Sequence, residues 1–261
     1  MTDLRMNDPH KTIVVTGVGV VSPYGIGLEC LQAGMLAGKC CLAPAKDVYP
    51  GFAGSTAQVS GRLLPERDNR SRYSRSDRLA MVAARDAVAN LDCESGAGVF
   101  MASTVAGLSE IDPGIAEDPA AWYRNDGLAR AATYPPAHVA DAVGEHLGIH
   151  GPRCAVSAAC ASSAMAIALA ANMLLDGAAP MMLAGGSDAL CPFTLSGFSS
   201  LQALDPDPCR PFDQNRKGLN LGEGAAVLVL ETLAGAAERQ ADVLVAVGGP
   251  GGEVGARPPA L

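Results

Sequence analysis

A strand–helix–strand pattern in the middle of the chain constrains the fold more than any other sequence feature. The run RCAVSA (Arg153–Ala158) predicts a strand, and it leads directly into an alanine-rich helical pattern after Cys160. We expect that helix to end near Gly177, since glycine readily adopts the left-handed conformation that terminates helices. The run MMLAGG (Met181–Gly186) then predicts a second buried strand. A helix between two buried strands favours parallel pairing, because parallel strands need a long crossover connection.

Strand and helix signals alternate along most of the chain. Apolar, β-branched runs predict further strands at Thr12–Val21, Gly98–Thr104, Ala225–Glu231 and Asp242–Gly248. Helical spacing of apolar residues predicts helices at about Ile26–Leu36, Ser76–Leu91 and Ala137–Leu147. The stretch between Leu42 and Ser74 is rich in Gly and Pro and is expected to run over the surface. We therefore expect an α/β fold, with a mixed five-stranded sheet flanked by helices.

The composition predicts one domain between two short terminal segments. We assign residues 1–10 to a polar leader, 11–248 to the domain and 249–261 to a Gly/Pro-rich tail. The opening MTDLRMNDPH has no apolar stretch, so no signal peptide is expected. The longest apolar run, Ala164–Leu175, is too short to cross a bilayer and is expected to form a helix buried between layers.

The charge and the cysteines exclude several function classes. A net charge of −8 makes nucleic acid and anionic membrane surfaces poor partners. The eight cysteines form no C-x-x-C pair, so we expect no metal site and no disulfide framework, only reduced thiols in the cytoplasm. The glycine-rich GVGVV lacks the spacing of a nucleotide-binding loop and is attributed to tight strand packing. No cofactor is expected.

The turn VSAACASS places Cys160 between a predicted strand and a predicted helix. A thiol at a helix N-terminus is favoured as the thiolate, and the unpaired amides of the first turn can donate to an oxyanion. Small neighbours leave room for an acyl chain to approach. A free cysteine is also a small hydrophobe that is often buried for packing alone. The local pattern leaves both interpretations, nucleophile and packing residue, open.

Four stretches together resemble the β-ketoacyl synthases, the condensing enzymes of fatty-acid and polyketide synthesis. VSAACASS resembles their active-site turn, TIVVTGVGVVSPYG their opening strand and MLAGGSDAL the strand after the nucleophile helix. CRPFDQNRKGLNLGEGAAVLVLE resembles the family's stretch with Asp, Arg and Gly ahead of a Gly-Glu-Gly-Ala turn. The residues at matching positions are Asp213, Arg216, Gly218, Gly222, Glu223, Gly224 and Ala225. The resemblance extends from about Lys11 to Gly248, with all four stretches in the family's order.

The resemblance implies a thiolase-like fold of which this chain is one half, a single αβα unit. It makes Cys160 the position of the acyl-accepting nucleophile. Val105, in ASTVAGL, resembles a position that lines the acyl pocket near the dimer interface, although a small aliphatic residue also suits the core. Glu223 is interpreted as a turn carboxylate that accepts backbone or arginine hydrogen bonds, in preference to a general base.

Family members continue into a second half with a His-Gly-Thr motif, a lysine and a second histidine, which promote malonyl decarboxylation and condensation. The sequence ends at Leu261 before any such motif, so we expect the C-terminal half to be missing. The histidines His10, His138, His146 and His150 lie in no matching context and are expected to be structural or surface residues. Condensation would then need a partner chain that supplies the histidines.

Three functions are compatible with these features. The chain is a ketosynthase-like subunit that carries an acyl chain on Cys160, a chain-length-factor-like partner without catalysis, or a stand-alone acyltransferase. Because chain-length factors typically lack the nucleophilic cysteine, we favour the first. The implied partners are an acyl carrier protein and a second ketosynthase-like chain, as a homo- or heterodimer formed through the strand Arg153–Ala158. We expect no nucleic acid, membrane or metal partner, and a cytoplasmic location.

Overall fold

The computed structural model describes residues 8–47, 49, 52, 54–66, 72–91, 93, 96–110 and 127–248. The chain forms an α/β structure around one large sheet. The strands, in chain order, are β1 (Ile13–Ser22), β2 (Gly25–Ile26), β3 (Ala43–Pro44), β4 (Ser55–Ala57), β5 (Gly98–Ala102), β6 (Arg153–Val156), β7 (Met182–Asp188), β8 (Leu221–Gly222), β9 (Gly224–Thr232) and β10 (Val245–Val247).

Helices lie on both faces of this sheet. In chain order they are α1 (Leu28–Leu36), α2 (Arg75–Ala87), α3 (Gly127–Ala131), α4 (Ala137–Leu147), α5 (Ser162–Leu175), α6 (Pro192–Ser200) and α7 (Leu233–Glu238). Short 3-10 turns occupy Ala45–Asp47, Gly61–Leu63 and Ala159–Ala161. No helix within the described ranges is both long enough and apolar enough to cross a membrane.

The large sheet is seven-stranded and mixed, with the order β10-β1-β9-β7-β5-β6 and β2 folded back onto β1. Strand β5 pairs in parallel with both β6 and β7, whereas β9 pairs antiparallel with β7 and β1. The carboxyl ends of β5, β6 and β7 therefore meet at one edge, where binding sites of parallel sheets form. A separate three-stranded sheet contains β3, β4 and β8.

Alternation along the strands separates two hydrophobic cores. In β5, Val99 and Met101 belong to the core beneath α2 and α4, whereas Phe100 belongs to the core beneath α5. The first core tolerates no side chain at one point of β1. A Cβ on Gly19 would lie 1.9 Å from the carbonyl oxygen of Ala83 on α2. The GVGVV run is thus explained by close helix–strand packing, as the sequence predicted.

The predicted α/β fold with a mixed, helix-flanked sheet is confirmed, although the sheet is larger than expected. The strand predicted at Asp242–Gly248 forms β10 at the edge next to β1, and the two-residue β2 was too short to be recognised from periodicity. The stretch expected to run over the surface also contributes Val59 and Leu64 to the core beneath α2. The division into leader, domain and tail stays a prediction, since residues 1–7 and 249–261 lie outside the described residues.

Helix α5 is not buried on all sides, so that prediction was wrong. Its buried residues recur every four positions, at Ser162, Ala166, Ala170 and Leu174, and they face the sheet. The apolar side chains Met165, Leu169 and Leu175 are exposed. The described part of the chain packs against one side of α5 only. A helix sequence that is apolar on nearly all sides does not show how many of those sides are covered.

Candidate functional site

A polar cavity of about 270 Å³ lies at the edge where β5 and β7 end and α5 begins. Its lining is rich in hydroxyl groups and includes one carboxylate. These polar lining residues are Ser103, Thr104, Ser162, Ser163, Ser187 and Asp188. Ala159 contributes to the wall, but neither Cys160 nor Val105 does. The cavity therefore lies beside the Cys160 turn.

Cys160 lies in a tight turn between β6 and α5. The chain leaves β6 at Val156 and forms the 3-10 turn Ala159–Ala161 before the helix begins. Ala159 has a φ of 49°, a left-handed conformation that residues with a Cβ rarely adopt. Cys160 is exposed, so within the described residues it is not part of a buried core. The turn directs the nucleophile candidate outward from a strained backbone.

The beginning of α5 supplies the electrostatics of this turn. The N-cap residue Ala161 makes no side-chain hydrogen bond to the helix. The amides of Ala161 and Ser162 donate to the carbonyls of Ala158 and Ala159 in the preceding 3-10 turn, and the beginning of the helix carries the positive end of its dipole. Within the described residues, no side chain forms a hydrogen bond or ion pair with the Cys160 thiol. The helix dipole therefore favours a negatively charged group bound at this turn.

Asp188 fixes the loop that follows β5. Its carboxylate accepts hydrogen bonds from the backbone amides of Thr104, at 3.0 Å, and Val105, at 2.9 Å. It also accepts hydrogen bonds from the hydroxyls of Ser103, at 2.6 Å, and Thr104. Val105 itself is buried, with 5% of its surface exposed. Its role in a substrate channel stays a prediction.

Glu223 is a buried structural carboxylate, as the sequence predicted. It accepts hydrogen bonds from Nε of Arg75 at 2.8 Å and from the amides of Val59 at 2.8 Å and Leu190 at 3.2 Å. The hydrogen bond to Glu223 raises the pKa of the Arg75 guanidinium, which stays charged. Burial, and then the Glu223 charge, raises the pKa of neighbouring Tyr49 to about 12. These bonds are to Arg75 and to backbone amides, and within the described residues no hydrogen bond joins Glu223 to Cys160.

Only His138 among the four histidines has a structural environment, and the others, His10, His146 and His150, are exposed, as expected for structural or surface residues. His138 on α4 lies against α2, with Nδ1 3.0 Å from Oδ2 of Asp77. This hydrogen bond raises the pKa of His138 and outweighs the opposing effect of burial. Burial lowers the pKa of His146 on the same helix. Neither is bonded to Cys160. No group of three metal-ligating side chains occurs in the described ranges.

Sequence reasoning missed two residues of this site. Asp188 is the last residue of the buried strand β7, and Ser162 follows Cys160 by two positions. Polar residues at the carboxyl ends of buried strands that meet at one sheet edge were a usable signal for Asp188. For Ser162, the preference of serine for local backbone hydrogen bonds at helix starts was the available signal. Neither signal identifies a partner without the tertiary structure.

Comparison with known proteins decides the family. A sequence model described as "Beta-ketoacyl synthase, N-terminal domain" matches residues 10–236. The chain belongs to the β-ketoacyl synthase family. It is 34% identical over 257 residues to nodulation protein E of Rhizobium meliloti (strain 1021), covering 92% of this chain and 63% of that protein. It is 30% identical to chloroplastic 3-oxoacyl-[acyl-carrier-protein] synthase I of Hordeum vulgare, covering 92% and 57% of the two chains.

Solved structures of the family agree with the fold. A β-ketoacyl synthase from Burkholderia phymatum STM815 superposes with a TM-score of 0.78 at 26% identity, over 90% of this chain and 62% of that one. The ishigamide ketosynthase/chain length factor superposes with a TM-score of 0.74 at 26% identity, again over 90% and 62%. The chain thus matches the N-terminal part of longer ketosynthases and spans less than two thirds of their length.

Proposed function

We propose that this chain is a ketosynthase-like subunit of a type II fatty-acid or polyketide system and that Cys160 accepts the acyl chain. One observation carries the proposal. Cys160 is exposed, directly follows the left-handed residue Ala159 and leads into the N-terminus of α5. This geometry suits a nucleophile, and it argues against a packing role for the cysteine.

The proposed reaction is transfer of an acyl group between two thiols. The Cys160 thiol loses its proton to solvent, and the thiolate Sγ attacks the carbonyl carbon of an acyl thioester. The oxyanion that forms lies near the positive end of the α5 dipole, which stabilises it. The carbonyl then reforms, a new bond joins the acyl carbon to Cys160, and the bond to the donor sulfur breaks. The donor leaves as a thiolate and takes up a proton from solvent.

Acyl carrier protein is the proposed donor. The name of the Hordeum vulgare relative, 3-oxoacyl-[acyl-carrier-protein] synthase I, includes an acyl carrier protein. All eight cysteines of this chain are free thiols, which fits a reducing compartment, and we propose the cytoplasm as the location. We propose that a channel near Val105 determines the chain length of the acyl group.

A second chain is the proposed source of the groups needed for condensation. Of the two histidines with shifted pKa values, His138 is bonded to Asp77 on α2 and His146 is exposed, and neither forms a hydrogen bond with Cys160. Decarboxylation of a malonyl donor needs groups that stabilise the enolate. We therefore expect acylation without condensation from this chain alone, and condensation only when a ketosynthase-like partner supplies the histidines.

Acylation by a loaded carrier protein tests the proposal. The full chain is incubated with acyl carrier protein carrying a labelled acyl group, and the products are identified by intact mass and peptide mapping. We expect one acyl group, on Cys160. The Cys160→Ala variant keeps the small residue that the turn requires and should fold without becoming acylated. Cys154→Ala, at a half-buried cysteine on β6, is the matched control and should be acylated normally.

A chain-length-factor-like role is the second candidate, supported by the likeness to the ishigamide ketosynthase/chain length factor. In that role the chain would shape the acyl tunnel of a complete ketosynthase, and Cys160 would carry nothing. Absence of acylation at Cys160, with and without a complete ketosynthase present, would overturn the first proposal and leave this one.

A further inference from the structure

We propose that Ser162 is a positioning residue that holds Cys160 in its reactive conformation; this inference rests on the proposed role of Cys160 as the acyl-accepting nucleophile. Ser162 is the first residue of α5 and follows the cysteine by two positions. Its hydroxyl bonds backbone groups of the two residues that precede Cys160.

The Ser162 hydroxyl closes a small ring around the cysteine turn. Its Oγ accepts a hydrogen bond from the backbone amide of Ala158 at 2.7 Å. The same Oγ donates to the carbonyl oxygen of Ala159, also at 2.7 Å. The two bonded backbone groups flank Cys160 on its N-terminal side. A single hydroxyl thus fixes both peptide units through which the chain enters the turn.

The position of these bonds matters because the turn is strained. Ala159 has a φ of 49°, where its Cβ is crowded by its own backbone. Such a conformation persists only when the surrounding structure specifies it more strongly than the local preference of the residue opposes it. The Ala159 carbonyl is held directly by the Ser162 hydroxyl. Loss of this hydroxyl would let the turn relax towards ordinary backbone angles.

Relaxation of the turn would move the thiol relative to the helix. Ser162 is buried and belongs to the row of α5 residues that packs on the sheet, so its hydroxyl is held by a rigid element. Cys160 is exposed and has no such packing. The hydroxyl therefore adds a side-chain link to the backbone bond from the Ser162 amide to the Ala159 carbonyl, and it is the link that also holds the Ala158 amide. Its removal should slow reactions at Cys160 without unfolding the protein.

The test compares hydroxyl-bearing and hydroxyl-free side chains at one position. Ser162→Ala removes the hydroxyl, Ser162→Thr keeps it, and Ser162→Val has the shape of threonine without it. Ser200→Ala is the control, because the Ser200 hydroxyl makes a comparable bond to the Gly197 carbonyl, at 2.8 Å, in an exposed part of α6. Each full-length variant is alkylated with iodoacetamide under limiting conditions. Peptide mapping then gives the rate constant at each cysteine.

We expect Ser162→Ala and Ser162→Val to slow alkylation of Cys160 about fivefold to tenfold, as expected when a reacting group loses its orientation. Ser162→Thr should restore the rate to within about twofold of the parent, and Ser200→Ala should leave it unchanged. Buried Cys191 should stay unlabelled throughout, which shows that the variants are folded. If Ser162→Ala does not fold, the Thr and Val pair gives the comparison on its own.

Equal rates at Cys160 in the Thr and Val variants would overturn the inference, as would unchanged alkylation in a folded Ser162→Ala variant. This outcome differs from failure of the proposed function. If the parent chain is never acylated by carrier protein, yet Ser162→Ala slows alkylation, the positioning role stands and the acyl-carrying role fails. If acylation occurs and the hydroxyl has no effect, the reverse holds.

Discussion

Arg75 and Glu223 form an ion pair that joins the beginning of α2 to the turn before β9. The Nε of Arg75 lies 2.8 Å from Oε2 of Glu223, and the Glu223 side chain has no exposed surface. The same guanidinium donates to the carbonyl of Val59, at 2.7 Å. The pair therefore connects three segments that are distant in sequence, next to the cavity beside Cys160.

Removal of one member of this pair should be strongly destabilising. Arg75→Met leaves the Glu223 carboxylate buried without its main partner, and such changes lower the free energy of unfolding by about 3 kcal/mol. Lys217→Met is the matched control. Its exposed pair with Asp207, at 3.7 Å, should contribute less than about 1 kcal/mol. Urea denaturation of both variants measures the difference, and equal losses would contradict a structural role for Glu223.

The His138–Asp77 contact predicts a pH-dependent contribution to stability. Because folding raises the pKa of His138, the native state binds the His138 proton more tightly than the unfolded state does. The stabilisation is therefore complete below the unfolded pKa of about 6.5 and is lost as pH rises through the higher native pKa. Asp141 and Glu145 on α4 act in the same direction.

Thermal unfolding of His138→Gln and the parent across this pH range checks the sign. The difference in melting temperature should be largest at acidic pH, where the charged hydrogen bond contributes about 1.5 kcal/mol, and smaller at alkaline pH. Subtracting the two curves removes the opposite trend of His146, whose pKa is lowered and which both proteins share. A difference that grows with rising pH would contradict the predicted sign.

The sequence was sufficient for the sheet but not for the environment of the cysteine turn. Buried strands can be recognised from runs such as MMLAGG, because both faces of β7 are covered and the residues of this run are apolar or glycine. Helix α5 was harder, since an apolar sequence such as AMAIALAANMLL does not tell which side faces the sheet. Only the four-residue recurrence of buried positions in the structure resolves this.

Only part of the candidate site could be predicted from the sequence. Cys160 could be selected from its small neighbours and the predicted strand-to-helix turn. The bonds of Ser162 and Asp188 could not. Asp188 binds a loop more than eighty residues away in the sequence, and such a pairing depends on the order of β5 and β7 in the sheet. The left-handed φ of Ala159 could not be predicted from the sequence either, because alanine rarely adopts that conformation.

Val105→Phe tests whether chain length is determined near the β5 loop. Val105 is buried, and its amide is held by Asp188, so a larger side chain has to displace neighbouring atoms. We expect a loss of about 1–3 kcal/mol in stability from overpacking, together with a shift towards shorter acyl chains on Cys160. Mass spectrometry of acylation with a mixture of chain lengths measures the shift.

Val143→Phe, at a buried valine of α4, is the control for overpacking alone. An identical chain-length profile in both variants would assign Val105 to the core.

The last prediction concerns the open edge of the large sheet. Strand β6 ends the strand order, with β5 as its one neighbour in the described part of the chain. The carbonyls of Pro152 and Val156 accept from β5-side amides at 2.9 and 3.2 Å, so these alternate residues face β5. By the alternation of a parallel ladder, Ala155 presents its amide to the open edge.

An unpaired edge of this kind favours association with a second chain, and we expect two copies to pair through β6. Ala155→Pro removes the outward amide while leaving the bonds to β5, and proline is tolerated on edge strands. Sedimentation should therefore show a dimer for the parent and for Ala155→Val, which keeps the amide, but a folded monomer for Ala155→Pro. A dimer that survives the proline places the interface elsewhere. A parent that is monomeric at all concentrations removes self-pairing and leaves a different ketosynthase-like chain as the partner of this edge.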